Sequence, residues 1–130
     1  METTFITGLN DLNWENFVEK TEKPVIVMFY SESCPHCRTI KPYFEEYAQK
    51  YHEKMNFGML NIADSVWIGE KFGVMATPTF KFFCGGRPVQ ELVGAIFPKI
   101  IEKRIAEMIE HGHECAEKST EIKYEVTGYA

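Results

Sequence analysis

The hydrophobic pattern in the first half of the chain predicts a buried strand that runs directly into a helix. Val25–Tyr30 is apolar at every position, as expected for a strand that is covered on both faces. From Cys34 to His52, apolar residues recur at helical spacing, and Pro35 suits the first helical turn. Pro42 lies inside this helix, where we expect a kink.

The flanking segments predict the remaining elements. Thr4–Thr7 is a short edge strand in this interpretation, and Asn13 is the N-cap of a first helix. After the long helix we expect a strand, a short helix, two strands joined at Gly85-Gly86, and a last helix. Their expected bounds are Met55–Ile62, Ser65–Phe72, Thr79–Cys84, Val89–Val93 and Pro98 to about Gly112.

This order of elements predicts an α/β fold. Alternating strands and helices imply parallel pairing through right-handed crossovers, while the Gly-Gly hairpin implies one antiparallel pair. The expected result is a mixed sheet of about five strands flanked on both faces by about four helices. We expect residues 1–111 to form this domain and residues 112–130, which are polar and aperiodic, to form a mobile tail.

Composition narrows the class of protein. With 130 residues, 45% of them hydrophobic and 25% charged, the chain suits one globular domain. The formal charge of −5, without a run of Lys or Arg, argues against nucleic acid and anionic membranes as partners. The six-residue apolar run Val25–Tyr30 is far too short to span a membrane. No secretory signal is visible, so we expect a cytoplasmic monomer.

Two of the four cysteines, Cys34 and Cys37, carry the clearest chemistry. Cys34 lies where a buried strand gives way to a helix, so unpaired N–H groups and the helix dipole favour its thiolate. Cys37 follows one helical turn later, within disulfide reach. The loop between them is too short to stabilise the fold. We therefore expect a redox couple in which Cys34 attacks a disulfide and Cys37 resolves the mixed disulfide.

The dipeptide between the cysteines is expected to set the potential of this couple. A protonated His36 places positive charge beside the thiolate and lowers its pKa further, which makes the couple more oxidising. Pro35 removes one N–H donor and stiffens the turn.

Several marks in order resemble the thioredoxin family, over about Thr4 to Glu110. They are the strand into C-x-x-C, Pro42, Asn61-Ile62, Thr77-Pro78-Thr79, Gly85-Gly86 and Val93-Gly94-Ala95. The resemblance implies a thioredoxin fold and thiol-disulfide oxidoreductase activity on protein substrates. It also implies a cis bond before Pro78, which exposes the Thr77 backbone to a substrate strand. A shallow substrate groove would be completed by Tyr30, Ser33, Ile62, Ala76, Gly94 and Ala95.

The chain departs from the family pattern at the site itself. Ser33 replaces the usual Trp, and Pro35-His36 is the dipeptide of periplasmic disulfide oxidases of the DsbA type. Met28 and Met59 occupy the positions of the family's buried Asp and Lys, which accept and return the proton of the second cysteine. Glu32, or water beside Cys37, is the candidate replacement.

The other cysteines are interpreted more simply. Cys84 ends a strand and is expected to be a small buried hydrophobic residue. Cys115 lies with His111 and His113, but three ligands in a tail make a poor metal site. We expect no metal and no cofactor.

Together these features predict a thioredoxin-like protein that reduces or exchanges protein disulfides and is recycled by a reductase or an oxidant. One alternative is a high-potential oxidase or isomerase, favoured by Cys-Pro-His-Cys. Another is a non-catalytic binding or redox-sensing module that uses the groove alone.

Overall fold

A computed structural model describes residues 5–94 and 96–111. It has five strands, three α-helices and one five-residue π-helical segment, Glu15–Glu19. The strands are β1 (Ile6–Leu9), β2 (Val25–Tyr30), β3 (Asn56–Asn61), β4 (Thr79–Cys84) and β5 (Arg87–Val93). The α-helices are α1 (Pro35–Tyr51), α2 (Val66–Lys71) and α3 (Pro98–Glu110). The predicted fold class, a mixed five-stranded sheet with four helical segments, is confirmed.

The strands form one sheet in the order β1-β3-β2-β4-β5. β3 runs parallel to both β1 and β2, which the strand–helix alternation predicts. The antiparallel pair expected at the Gly-Gly hairpin is present between β4 and β5, and β4 also runs antiparallel to β2, a second pair that was not expected. The chain re-enters beside β2 in the opposite direction after α2, a reversal that no local pattern signals.

Two apolar layers cover the two faces of the sheet. One contains both active-site cysteines and joins the inner faces of α1 and α3, including Ile40, Phe44 and Ile105. The other is built around Trp14 and the opposite side chains of β2. Because β2 contributes alternate residues to both layers, Val25 through Phe29 are completely buried. Cys34 therefore lies only four residues after the last residue of a strand in the core.

The N-terminal elements differ from their predicted form. β1 begins at Ile6, and Asn13 does not cap a helix, since the π-helical segment begins only at Glu15. The Asn10 side chain accepts the backbone N–H groups of Leu12 at 2.8 Å and Asn13 at 3.1 Å. The Asn13 side chain accepts the Asn10 N–H at 2.8 Å and donates to the Gly8 carbonyl at 2.9 Å, which ties this turn to the end of β1.

Residues 112–130 lie outside the described residues, so the predicted tail stays a prediction. Among the described residues, no helix is long and apolar enough to cross a membrane.

Candidate active site

The first cysteine caps the helix that follows the central strand. Cys34 has extended backbone angles at the N-cap of α1, and Pro35 takes the first helical position. The Cys34 sulfur accepts the backbone N–H of Cys37 at 3.1 Å. Both cysteines are free thiols and both are buried, with 7% and 4% of their surfaces exposed. The expected placement of a thiol at a helix N-terminus is thus present in the structure.

The two thiols differ in acidity. Burial raises the pKa of Cys34, but hydrogen bonds from the Cys37 thiol, the Thr77 side chain and backbone N–H groups outweigh burial and leave the pKa below its usual value. Burial also raises the pKa of Cys37, and its hydrogen bond to Cys34 raises it further, to about 11. Cys34 is therefore suited to be the attacking thiolate, while Cys37 holds its proton.

His36 acts on Cys34 through its main chain. Its backbone N–H is one of the groups that lower the pKa of the Cys34 thiol. Its exposed ring lines a small recess with Gly94. The predicted tuning by a charged imidazole stays a prediction.

The loop before β4 packs against both thiols. The peptide bond between Thr77 and Pro78 is cis. The Thr77 side chain lies where its hydroxyl can donate to either thiolate, which lowers the pKa of each cysteine. The Pro78 carbonyl accepts the Gly94 N–H at 2.8 Å, so the loop before α3 lies beside the cis bond. Cys34, Thr77, Pro78 and Gly94 thus form one cluster from three distant parts of the sequence.

The remaining predicted groove residues are placed unequally. Tyr30 is half-buried beside Cys37, and burial raises its pKa, as do the charges of Glu32 and Asp64. Ser33 and Ala76 are exposed near the cluster. Ile62 packs into the apolar layer on the opposite face of the sheet from the cysteines, although its N–H donates to the Tyr30 carbonyl at 2.9 Å. Ala95 lies outside the described residues.

A cavity of about 350 Å³ opens beside Cys37. Met28 and Met59 line it, in place of the ionisable pair that the resemblance implies. Glu32, Arg38 and Lys41 line it too, and the Arg38 guanidinium donates to the Glu32 carbonyl at 3.1 Å. Arg38 and Lys41 were not predicted as site residues. For Lys41 the sequence did contain an indication, because Lys41 lies four residues after Cys37 and therefore on the same face of the helix.

The expectation that Cys84 is a free, buried thiol is wrong in one respect. Cys84 is buried, with its sulfur 3.9 Å from the Met108 sulfur, but it is disulfide-bonded and so does not behave as a free hydrophobic thiol. Cys115 lies outside the described residues. Within 5–94 and 96–111, no group of three or more His, Cys, Asp or Glu side chains could hold a metal ion.

Comparison with known proteins gives consistent matches. The family model described as Thioredoxin matches residues 5–107. A protein named Thioredoxin from Alicyclobacillus acidocaldarius subsp. acidocaldarius is 32% identical over 102 residues, which is 78% of this chain and 96% of the relative. The chloroplastic Thioredoxin M-type of Brassica napus is 38% identical over 93 residues, 72% of this chain, and the chain spans 52% of that relative's length.

The fold has a close structural counterpart. The crystal structure of a Malassezia sympodialis thioredoxin, Mala s 13, superposes with a TM-score of 0.77 at 22% identity. The superposition covers 84% of this chain and 95% of the other. At that identity the likeness concerns the fold.

Proposed function

Since this chain belongs to the thioredoxin family of thiol-disulfide oxidoreductases, we propose that it reduces disulfides in protein substrates through Cys34 and Cys37. The observation that carries this proposal is the placement of Cys34 at the N-cap of α1, where its sulfur accepts the Cys37 N–H at 3.1 Å, with the cis Thr77–Pro78 loop beside the pair. This placement separates the two thiols in acidity. Cys34 is biased towards the thiolate, while Cys37 keeps its proton with a pKa of about 11. A nucleophile and a reserve thiol are what a two-step exchange needs.

The proposed reaction has two exchange steps. The Cys34 thiolate attacks one sulfur of the substrate disulfide, forms a mixed disulfide and releases the other substrate sulfur as a thiolate that takes up a proton. Cys37 then loses its proton and attacks the Cys34 sulfur, which releases the second substrate thiol. Two electrons pass to the substrate, and the protein ends with a Cys34–Cys37 disulfide.

The cis-proline loop is the proposed platform for the substrate chain. Thr77 lies beside both thiols, and the Pro78 carbonyl accepts a hydrogen bond from the Gly94 N–H. An extended substrate segment that binds along this loop would place its disulfide next to Cys34. Pro35 restricts the backbone at the start of α1. Tyr30, Ser33 and Ala76 lie around this platform as proposed contacts. Ile62 is left out because of its place on the other face.

The direction of the reaction and the partner that recycles it are part of the proposal. We favour net reduction, with a reductase regenerating the dithiol, because the matched relatives are named thioredoxins. None of those relatives supports the oxidase alternative, which rests on Pro35-His36 alone. The cytoplasmic location stays a prediction from the sequence.

The reduction potential in defined glutathione buffers tests the direction. A value near about −270 mV, as in thioredoxin, supports net reduction, and a value between about −180 and −120 mV would contradict it. Insulin reduction tests the activity itself. Cys34→Ser should abolish turnover, and Cys37→Ser should trap a mixed disulfide. Turnover that survives Cys34→Ser would exclude the proposed mechanism.

A further inference from the structure

A surface groove leads away from the active site between α1 and the start of α3, and we call it the side groove. Its first part, about 180 Å³, includes His36, Tyr43, Gly94 and Pro98. Its second part, about 680 Å³, includes Tyr43 and Pro98 again, together with Phe97 and Ile100. Because Tyr43 and Pro98 line both parts, the two parts are adjacent, and the first of them begins at His36, between the two cysteines.

The side groove displays large apolar side chains to solvent. Phe97 is 77% exposed, Tyr43 44% and Ile100 41%. A single exposed apolar residue is ordinary, but several around one concave surface mark a binding site. Phe97 lies at the N-cap of α3, where its phenyl ring offers no capping group.

The charges of the side groove are largely balanced. Lys50 donates to the Glu102 carboxylate at 2.9 Å and Tyr51 donates to it at 2.8 Å, which together lower the pKa of Glu102. Lys99 adds positive charge near the same carboxylate. Contact with an apolar group is therefore the main attraction that this surface offers.

We propose that the side groove binds an apolar side chain of the disulfide substrate, a few residues from the cysteine that Cys34 attacks. This inference rests on the proposed function. Tyr43 follows His36 by seven residues on α1, which is about 10 Å along the helix axis. An extended chain advances about 3.3 Å per residue, so three or four residues bridge that distance. The site would then select cysteines with a Leu or Phe three or four positions away.

The test uses peptides with one cysteine joined in a mixed disulfide to 5-thio-2-nitrobenzoate. The Cys34 thiolate attacks the peptide sulfur and displaces the coloured thiolate, so absorbance reports the first exchange step. Each peptide carries either Leu or Ser at the residues three and four positions away from the cysteine. One pair of peptides has these residues before the cysteine and another pair has them after it. With the protein reduced beforehand and no other reductant present, we expect the better Leu peptide to exceed its Ser counterpart about five- to tenfold in the second-order rate constant of this step, as for one apolar contact.

Phe97→Ser is the discriminating variant, because Ser is a preferred N-cap residue and the change should not disturb α3. It should bring the Leu preference to within about twofold of unity while leaving the Ser peptide rate unchanged. Trp67→Ser is the matched control, because Trp67 is also an exposed aromatic residue, 64% exposed, but belongs to α2. This control should keep the full preference.

Three outcomes would overturn the inference. One is equal rates for Leu and Ser peptides in the wild type, and another is a preference that persists in Phe97→Ser. A third is a dimer in sedimentation that Phe97→Ser dissociates, since the side groove would then bind a second copy of this chain. Release of the coloured thiolate from no peptide at all would instead refute the proposed function, and the inference with it.

Discussion

The two active-site thiols hold their protons with different strength because their surroundings differ, although they are three residues apart. Hydrogen bonds converge on the Cys34 sulfur and favour its charge. Cys37 is buried beside that sulfur and donates to it, so its own charge is disfavoured. The same hydrogen bond thus lowers the pKa of Cys34 and raises the pKa of Cys37.

Alkylation with iodoacetamide across pH should separate the two thiols. Only the thiolate reacts, so Cys34 should reach half-maximal rate below about pH 8.5, the usual cysteine value. Cys37 should stay unmodified until the pH approaches 11. Mass spectrometry of the peptides identifies the modified residue. In Cys37→Ala the midpoint of Cys34 should rise, because the side-chain hydrogen bond to its sulfur is lost. Earlier modification of Cys37 than of Cys34 would contradict the assignment.

The resolving step needs a base for Cys37, and Glu32 lines the cavity beside that thiol. If its carboxylate accepts the proton, Glu32→Gln should slow release of substrate from a preformed mixed disulfide about tenfold or more. The rate of Cys34 alkylation should be unchanged. Glu45→Gln, at an exposed position of α1, is the control. Equal release rates in both variants would contradict a role for Glu32 as the base.

At the scale of single elements, β4 joins the site to the sheet and is buried along its whole length. It carries one charged residue, Lys81, whose ammonium is paired with the Glu91 carboxylate on β5 at 2.5 Å. The side chain of Lys81 is only 10% exposed, against 48% for Glu91. The ion pair therefore lets a central strand carry a charge between two antiparallel neighbours.

Glu91→Gln should lower the free energy of unfolding by about 1–2 kcal/mol, because it leaves the Lys81 charge buried without its counter-charge. The expected loss is well below that for a fully buried ion pair, because the Glu91 side chain is half-exposed to solvent. Glu15→Gln removes the partner of Lys20 in a pair that is about two-thirds exposed, and should cost at most about 0.5 kcal/mol. Urea unfolding compares the two, and equal losses would contradict the interpretation.

At the scale of the whole molecule, the disulfide bond of Cys84 adds a connection that the fold class does not require. The chain has four cysteines, and Cys34 and Cys37 are free. Neither of these two is therefore the partner of Cys84.

Peptide mapping without reductant should recover Cys84 in a disulfide-linked peptide and identify its partner. Cys84→Ala should then lower the free energy of unfolding by about 2–4 kcal/mol, as is typical of a native disulfide. Cys34→Ser/Cys37→Ser is the background for the comparison, since it removes the other redox couple. Alkylation of Cys84 in the denatured, unreduced protein would refute the linkage. Persistent disulfides are typical of oxidising compartments, so the state of Cys84 in cells also tests the expected cytoplasmic location.

The sequence by itself determined the features that depend on neighbouring residues. The apolar run of β2, the helical spacing of α1 and the Gly85-Gly86 turn predict their elements because period and turn chemistry are local. The C-x-x-C spacing likewise places both thiols on one helical turn. For these reasons the fold class and the two reactive cysteines could be predicted without coordinates.

Only the tertiary structure decided what meets across distant parts of the chain. How the elements pack decides the direction of β4 and the place of Ile62 on the opposite face of the sheet. It also decides that Thr77 lies beside both thiols. The cavity at Cys37, which is lined by Lys41 of α1 and by Glu32 of the preceding loop, depends on the same packing. Long-range packing selects these neighbours by the shape and burial of side chains, and the spacing of residues along the chain does not determine either of them.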